Sequence, residues 1–187
     1  MARLIIACLI LLLADAAAAQ PLDLDAIAKQ PGTEVIRRGD VIEIKRGGVT
    51  VTIDKDKELG VDSSGKAVLC YWNLAIAAKM TADLCYPYEF PQLRAMLDDY
   101  IAAANTFIAA NSLRPTTKAQ LEANIAGRMA KGAAGIKAAG VPPAQNRVCQ
   151  ERREDDLLPL NSELEKYRRE FQETLKVPRP PVLNPCI

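Results

Sequence analysis

Apolar and polar residues alternate along the first part of the chain and recur at helical spacing along the rest. Residues 49–54 alternate between aliphatic side chains and threonine or aspartate, as expected of a half-buried strand. A second strand over 41–45 is joined to it through Gly47 and Gly48, which can adopt the positive φ angles of a tight turn. Residues 34–38 fit a third strand. The pattern predicts a small β-hairpin or meander.

From residue 67 onward the apolar spacing becomes helical. Residues 67–84 contain few polar side chains, which is typical of a buried helix. Further helices are predicted over 91–111, over 116–139, and over 144–176 with an interruption at Pro159. Short links between helices of similar length favour antiparallel neighbours. We therefore expect a mainly α fold, an antiparallel up-down four-helix bundle preceded by the small β-meander.

The N-terminus has the pattern of a secretory signal peptide. Arg3 precedes the apolar run 4–14, and the small residues Ala17 and Ala19 precede a cleavage site after Ala19. A spanning helix needs about 20 apolar residues, and this run is roughly half as long. We expect a mature chain without a transmembrane segment, in the periplasm or secreted. The predicted organisation is a signal peptide (1–19), a lead-in with the hairpin (20–65), the helical bundle (66–176) and a proline-rich C-terminal strap (177–187).

Four cysteines remain after cleavage, and an even number in an exported chain indicates two disulfides. Cys70 and Cys85 stand at opposite ends of the first predicted helix, about 22 Å apart, whereas a disulfide requires Cα atoms within roughly 7 Å. In an up-down bundle Cys149 lies beside Cys85, and the strap brings Cys186 back to Cys70. The sequence therefore predicts the pairs Cys85–Cys149 and Cys70–Cys186.

The composition excludes several kinds of function. The chain contains no histidine, which removes Ser-His-Asp and Cys-His catalysis and histidine metal sites. Its net charge of +1 gives no reason to expect a nucleic-acid partner. Asp54, Asp56, Glu58 and Asp62 resemble the spacing of a calcium loop, but Leu59 and Gly65 stand where such a loop needs glycine and glutamate. We expect a solvated charged turn there, no metal site and no cofactor.

Two groups of residues remain as candidates for function. Tyr86, Tyr88 and Phe90 follow the first helix and could form an interaction patch, since aromatic residues anchor interfaces. The helices also supply carboxylates, but these interleave with arginines, as on an exposed helix face. The carboxylates are Asp98, Asp99, Glu151, Glu154, Asp155, Asp156 and Glu163.

No catalytic residue emerges from these patterns. We expect an exported, disulfide-stapled, non-enzymatic protein that binds or braces another component of the bacterial envelope. Two alternatives stay open: a small carboxylate-dependent hydrolase or lyase, and a carrier of a small apolar ligand between alanine-rich helices.

Overall fold

A four-stranded antiparallel sheet forms the N-terminal part of the protein in the computed structural model, which describes residues 22–186. The predicted signal peptide lies outside the described residues. The short helix α1 (Leu24–Ala28) precedes the sheet, whose strands follow one another as a meander in the order β1-β2-β3-β4. The strands are β1 (Glu34–Arg38), β2 (Val41–Arg46), β3 (Val49–Asp54) and β4 (Lys57–Asp62).

The β2–β3 hairpin forms as its sequence predicts. Gly47 and Gly48 have φ angles of 57° and 83° and connect the two strands. The register pairs Ile44 with Val51, and both side chains are buried. They contribute to a small apolar core, separate from the helical core, in which the sheet covers the start of the first long helix.

Strand β4 corrects the expectation of a charged loop after residue 54. Its apolar residues Leu59 and Val61 lie on the exposed face, whereas the opposite face carries Glu58, Gly60 and the buried Asp62, so alternation does not indicate a half-buried strand. Gly60 instead lies against the side chain of Val182, where a Cβ atom would collide. The strand is therefore covered by the C-terminal strap, a contact that local alternation cannot predict.

The remaining long elements are helices: α2 (Val68–Cys85), α3 (Pro91–Asn111) and α4 (Lys118–Ala138). Helix α3 runs antiparallel to α2, since Lys79 pairs with Asp98 and the Trp72 indole donates to Asn105 Oδ1 at 2.8 Å. The main apolar core lies between these two helices and the C-terminal helices. The protein is thus mainly helical, with the sheet N-terminal to the helices.

A single fourth helix of the predicted bundle is not found. The segment is divided into α5 (Arg147–Arg152), a π-helical stretch over Arg153–Leu157, α6 (Leu158–Ser162) and α7 (Leu164–Thr174). Pro159 lies in the first turn of α6 rather than at a break. Proline lacks an amide donor and crowds the preceding turn, which explains why the helix widens immediately before it.

The C-terminal strap is fixed to the sheet by a buried ion pair. Arg179 Nε lies 2.8 Å from Asp62 Oδ2, and both side chains are almost completely inaccessible to solvent. The guanidinium also donates to the carbonyl oxygens of Lys66 and Val177, while Ser64 donates to the other carboxylate oxygen. Strap and sheet are therefore held by a network that satisfies both charges.

Two disulfides connect the elements, and they are the two pairs that the sequence predicts. Cys70 is bonded to Cys186 and Cys85 to Cys149, with Cα–Cα distances of 5.2 and 5.7 Å. Helix α2 is continuous between its two cysteines, which keeps them apart. Within residues 22–186, no helix is both long enough and apolar enough to cross a membrane.

Candidate ligand-binding groove

An apolar groove opens between helices α2, α4 and α5. Its cavity has a volume of about 730 Å³. Helix α2 supplies Ala77, Met80, Thr81, Leu84 and Cys85, helix α4 supplies Arg128, Lys131, Gly132, Gly135 and Ile136 with the adjoining Ala139, and Asn146, Val148, Cys149 and Arg152 complete the lining. The groove thus has walls of aliphatic side chains and polar groups at only a few points.

Helix α4 lies on the protein surface, and it leaves the groove open. It has no buried residue, and it packs on the core through partly buried side chains that include Leu121, Ile125 and Ile136. At Gly132 a Cβ atom would lie 2.9 Å from the Met80 methyl, whereas at Gly135 it would meet nothing within 4 Å. One glycine therefore permits a close approach, and the other leaves space unfilled.

The Cys85–Cys149 disulfide closes one end of the groove. Asn146 begins α5 by accepting hydrogen bonds from the amides of Val148 and Cys149, at 3.0 and 3.4 Å. The hydroxyl of Tyr86 donates to the Cys149 carbonyl at 3.1 Å. The disulfide and these hydrogen bonds hold α5 against the end of α2, so this wall is rigid.

Three cations lie along the groove. Arg128 donates to Asn73 Oδ1 at 2.8 Å, and its guanidinium lies 5.9 Å from the centre of the Trp72 ring. Arg152 pairs with Asp156 at 2.9 Å. Lys131 forms no ion pair within the described part of the chain. None of the described residues that line the cavity carries a carboxylate, so its lining is net positive.

The structure does not bring the three aromatic residues of the predicted interaction patch together on the surface. Tyr86 is buried, and burial raises the pKa of its hydroxyl. Phe90 packs edge-on against Tyr86, and the Arg153 guanidinium lies over both rings at 5.5 and 5.7 Å. Tyr88 alone of the three is open to solvent, with 97% of its surface exposed. A single exposed tyrosine is a small contact.

Five of the seven carboxylates considered in the sequence lie in ion pairs on helix surfaces, and no ion pair is found for Asp99 or Asp155 among the described residues. Lys79 bonds both Asp83 and Asp98 at 2.8 Å, and these bonds outweigh the effect of burial and raise the pKa of the ammonium. Further pairs are Arg147–Glu151, Arg153–Glu154, Arg152–Asp156 and Lys166–Glu163. Neighbouring cations neutralise these carboxylates in every pair.

The acidic residues of the calcium-like segment are dispersed. Asp54 ends β3, Glu58 lies on β4 and pairs with Arg114, and Asp62 is occupied by Arg179. Among the described residues no group of three or more acidic or cysteine side chains is arranged to hold a metal ion.

Reasoning from the sequence did not find the groove. The three glycines of α4 suggest close helix packing, but only Gly132 lies at such a contact. The sequence feature that relates to the groove is the alanine and glycine on the side of α4 that faces α2. Small residues there are compatible with tight helix packing and with an open cavity, so they do not distinguish the two.

No protein-family model, curated protein or solved structure matches the chain. The groove is therefore the feature from which a function is inferred.

Proposed function

We propose that the protein is an exported, non-enzymatic binding protein that carries a ligand with an apolar body in the groove between α2, α4 and α5. The observation that supports this proposal is the apolar cavity of about 730 Å³. Small-molecule sites are typically concave, mostly apolar, and about 300–1,000 Å³ in volume.

The N-terminal pattern and the cysteines support the proposed location. Disulfides persist in oxidising compartments, and the two bonds here are compatible with a periplasmic or extracellular protein. The signal peptide predicted over residues 1–19 supplies the route. An apolar molecule is poorly soluble in those aqueous compartments, so a carrier that shields it has a physical purpose there.

The other two functions considered from the sequence receive less support. Envelope contact through the aromatic turn would depend on Tyr88, since Tyr86 is buried and Arg153 covers Phe90. Carboxylate-dependent hydrolysis needs two carboxyl groups facing a substrate cleft. The groove lining contains no carboxylate among the described residues. A smaller cavity of about 250 Å³ is lined by Asp155, Asp156 and Glu170, but it also contains Arg152, which pairs with Asp156, so the larger apolar groove favours binding over hydrolysis.

Filling the groove from α4 tests the proposal. Gly135 lines the cavity, and a side chain added there enters open space. We expect the mature protein to bind Nile red, a neutral dye whose fluorescence rises in apolar surroundings, in a saturable titration. Gly135→Phe should weaken this binding at least tenfold because the phenyl ring occupies the cavity.

Gly127→Phe is the matched control. Gly127 lies on the same helix with nothing within 4 Å of a Cβ atom, but it does not line the cavity. We expect this variant to bind the dye as the unaltered protein does. Circular dichroism verifies that both variants fold. Equal affinity in the two folded variants, or no saturable binding by the unaltered protein, would contradict a carrier function.

A further inference from the structure

We propose that the ligand is a single-chain anionic amphiphile whose acidic head lies at Arg128 and Lys131 and whose chain extends towards the Cys85–Cys149 disulfide. This inference rests on the proposed carrier function and specifies the class of molecule carried. The direction, charge and length of the groove support this class of ligand.

The two lining cations that have no carboxylate partner among the described residues, Arg128 and Lys131, lie towards one end of the groove. Arg128 contacts Asn73 early in α2, whereas Gly132 lies against Met80 and Leu84 near the end of α2. Helix α4 therefore runs parallel to α2. Arg128 lies at the level of the first half of α2, and Lys131, which precedes Gly132, lies about one turn nearer the disulfide. The lining beyond them is mostly aliphatic, with Asn146 and Arg152 as polar residues beside the disulfide. An amphiphile has this same division along its length.

The two α4 cations are available for an anion. Arg128 is oriented by a neutral amide and by the Trp72 ring, so its position is fixed while its charge is not cancelled by the Asn73 contact. Lys131 lies one turn further along the same helix face and has no carboxylate partner among the described residues. Residues three apart on a helix are neighbours, so one acidic head can contact both. Arg152 adds positive potential, although Asp156 already pairs with it.

The dimensions fit one acyl chain. Cys85 lies twelve residues after Asn73, which Arg128 contacts, and this is a rise of roughly 18 Å along α2. That distance is about the length of an extended twelve-carbon chain with its acidic head. Cys85 and Cys149 lie at the closed end, so a longer chain would have to fold back or remain partly exposed. The occupant inferred is a free medium-chain amphiphile rather than a membrane surface.

Competition against bound Nile red tests the head group at constant chain length. The competitors are laurate, dodecyl phosphate, dodecanol and dodecylammonium, each below its aggregation concentration. We expect both anions to displace the dye at concentrations at least tenfold lower than dodecanol. The ammonium should be the weakest competitor, because the cations repel it.

Charge-neutral variants locate the head. Arg128→Gln combined with Lys131→Gln should reduce the preference for laurate over dodecanol to about one, while dodecanol binding is unchanged. Lys137→Gln is the matched control, since Lys137 is an exposed cation of α4 outside the lining. The single variant Arg128→Lys keeps the positive charge and should retain most of the preference for laurate over dodecanol. This result would separate the effect of charge from a purely structural effect at Arg128.

The possible outcomes separate the two proposals. If dodecanol and laurate compete equally, the carrier function survives and the anionic head is refuted. If none of the four displaces bound Nile red, the amphiphile is refuted while the carrier function survives. If the protein does not bind Nile red saturably in the first place, both proposals fail. Sedimentation with phosphatidylglycerol vesicles tests whether the cations bind anionic lipid headgroups in a membrane instead of a free amphiphile. Binding to these vesicles that is lost in the double variant would place the cations at a membrane surface and overturn the inference.

Discussion

Tyr100 shows how a single residue couples the helical core to pH. Its ring stacks on Phe171 with 4.4 Å between the ring centres, and its hydroxyl lies 3.2 Å from that of Thr174. Burial raises the pKa of Tyr100 to about 12, against the lowering effect of the Thr174 hydrogen bond. The folded protein therefore keeps this hydroxyl protonated at a pH where the unfolded chain releases the proton.

This shift predicts a loss of stability in alkali. Above the unfolded-state pKa of about 10 the unfolded chain binds fewer protons than the folded one, so stability falls as the pH rises. The loss from Tyr100 should reach about 2 kcal/mol when the pH equals the folded-state pKa. Urea unfolding from roughly pH 9 to 12 measures it. Tyr100→Phe should remove that part of the slope, and an unchanged slope would contradict this role for the hydroxyl.

For individual residues, the sequence predicts the two cysteine pairs but not the buried ion pair between Asp62 and Arg179. The disulfides follow because α2 is a rod of known length that separates Cys70 from Cys85. The pairing of Asp62 with Arg179 joins residues 117 positions apart. Nothing in the local pattern distinguishes this aspartate from the exposed acidic residues before it, so the ion pair could be found only once the fold was known.

Of the three long helices α2, α3 and α4, helix α4 is the one without a buried residue. Its N-terminus depends on a capping box in which Thr117 and Gln120 exchange hydrogen bonds. A helix with so little buried apolar surface gains little from tertiary packing. It forms one wall of the groove.

Substitution of the three glycines of α4 by alanine should change the stability of the protein by an amount that depends on the position. Gly127→Ala and Gly135→Ala should each stabilise the protein by about 0.5–1 kcal/mol, because alanine is the better helix former and nothing obstructs its methyl group. Gly132→Ala should gain less, since its methyl would press on Met80. Urea denaturation of the three variants provides the comparison. A gain at Gly132 as large as at the other two would show that α4 does not pack closely on α2.

The sequence predicts a helix or strand correctly where the local apolar pattern determines it. The prediction fails where the element depends on contacts with segments that are distant in the sequence. The strands β1–β3 and the helices α2–α4 have local periodicity or capping residues, and they form close to the predicted bounds. Strand β4 depends on the strap, whose Val182 covers Gly60. The predicted fourth helix widens just before Pro159, where the sequence predicts an interruption, but it ends at Glu163, a break that helical periodicity does not reveal.

For the whole molecule the two disulfides have different tasks. Cys70–Cys186 closes a separation of 116 residues and fastens the strap to the start of α2, and Cys85–Cys149 closes 64 residues and holds the end of the groove. Chain-entropy arguments assign each bond about 4–5 kcal/mol of stability. Of the four disulfide-bonded cysteines in the described part of the chain, only Cys85 and Cys149 line the cavity.

Removing each bond should therefore separate stability from binding. Replacement of both cysteines by alanine in either pair should lower the free energy of unfolding by several kcal/mol. The Cys85→Ala, Cys149→Ala variant should also lose Nile red affinity, since the groove loses a wall. The Cys70→Ala, Cys186→Ala variant should retain that affinity wherever circular dichroism shows it folded. Equal losses of affinity in both folded variants would contradict this division.

The most direct test of the groove as the binding site is a laurate titration of the mature protein followed by two-dimensional amide NMR. The account predicts saturable shifts concentrated at Met80, Leu84, Lys131, Gly135 and Val148, with little change on the outer sheet face around Leu59. Shifts centred on that sheet face or on Tyr88, or no saturable shift, would contradict it.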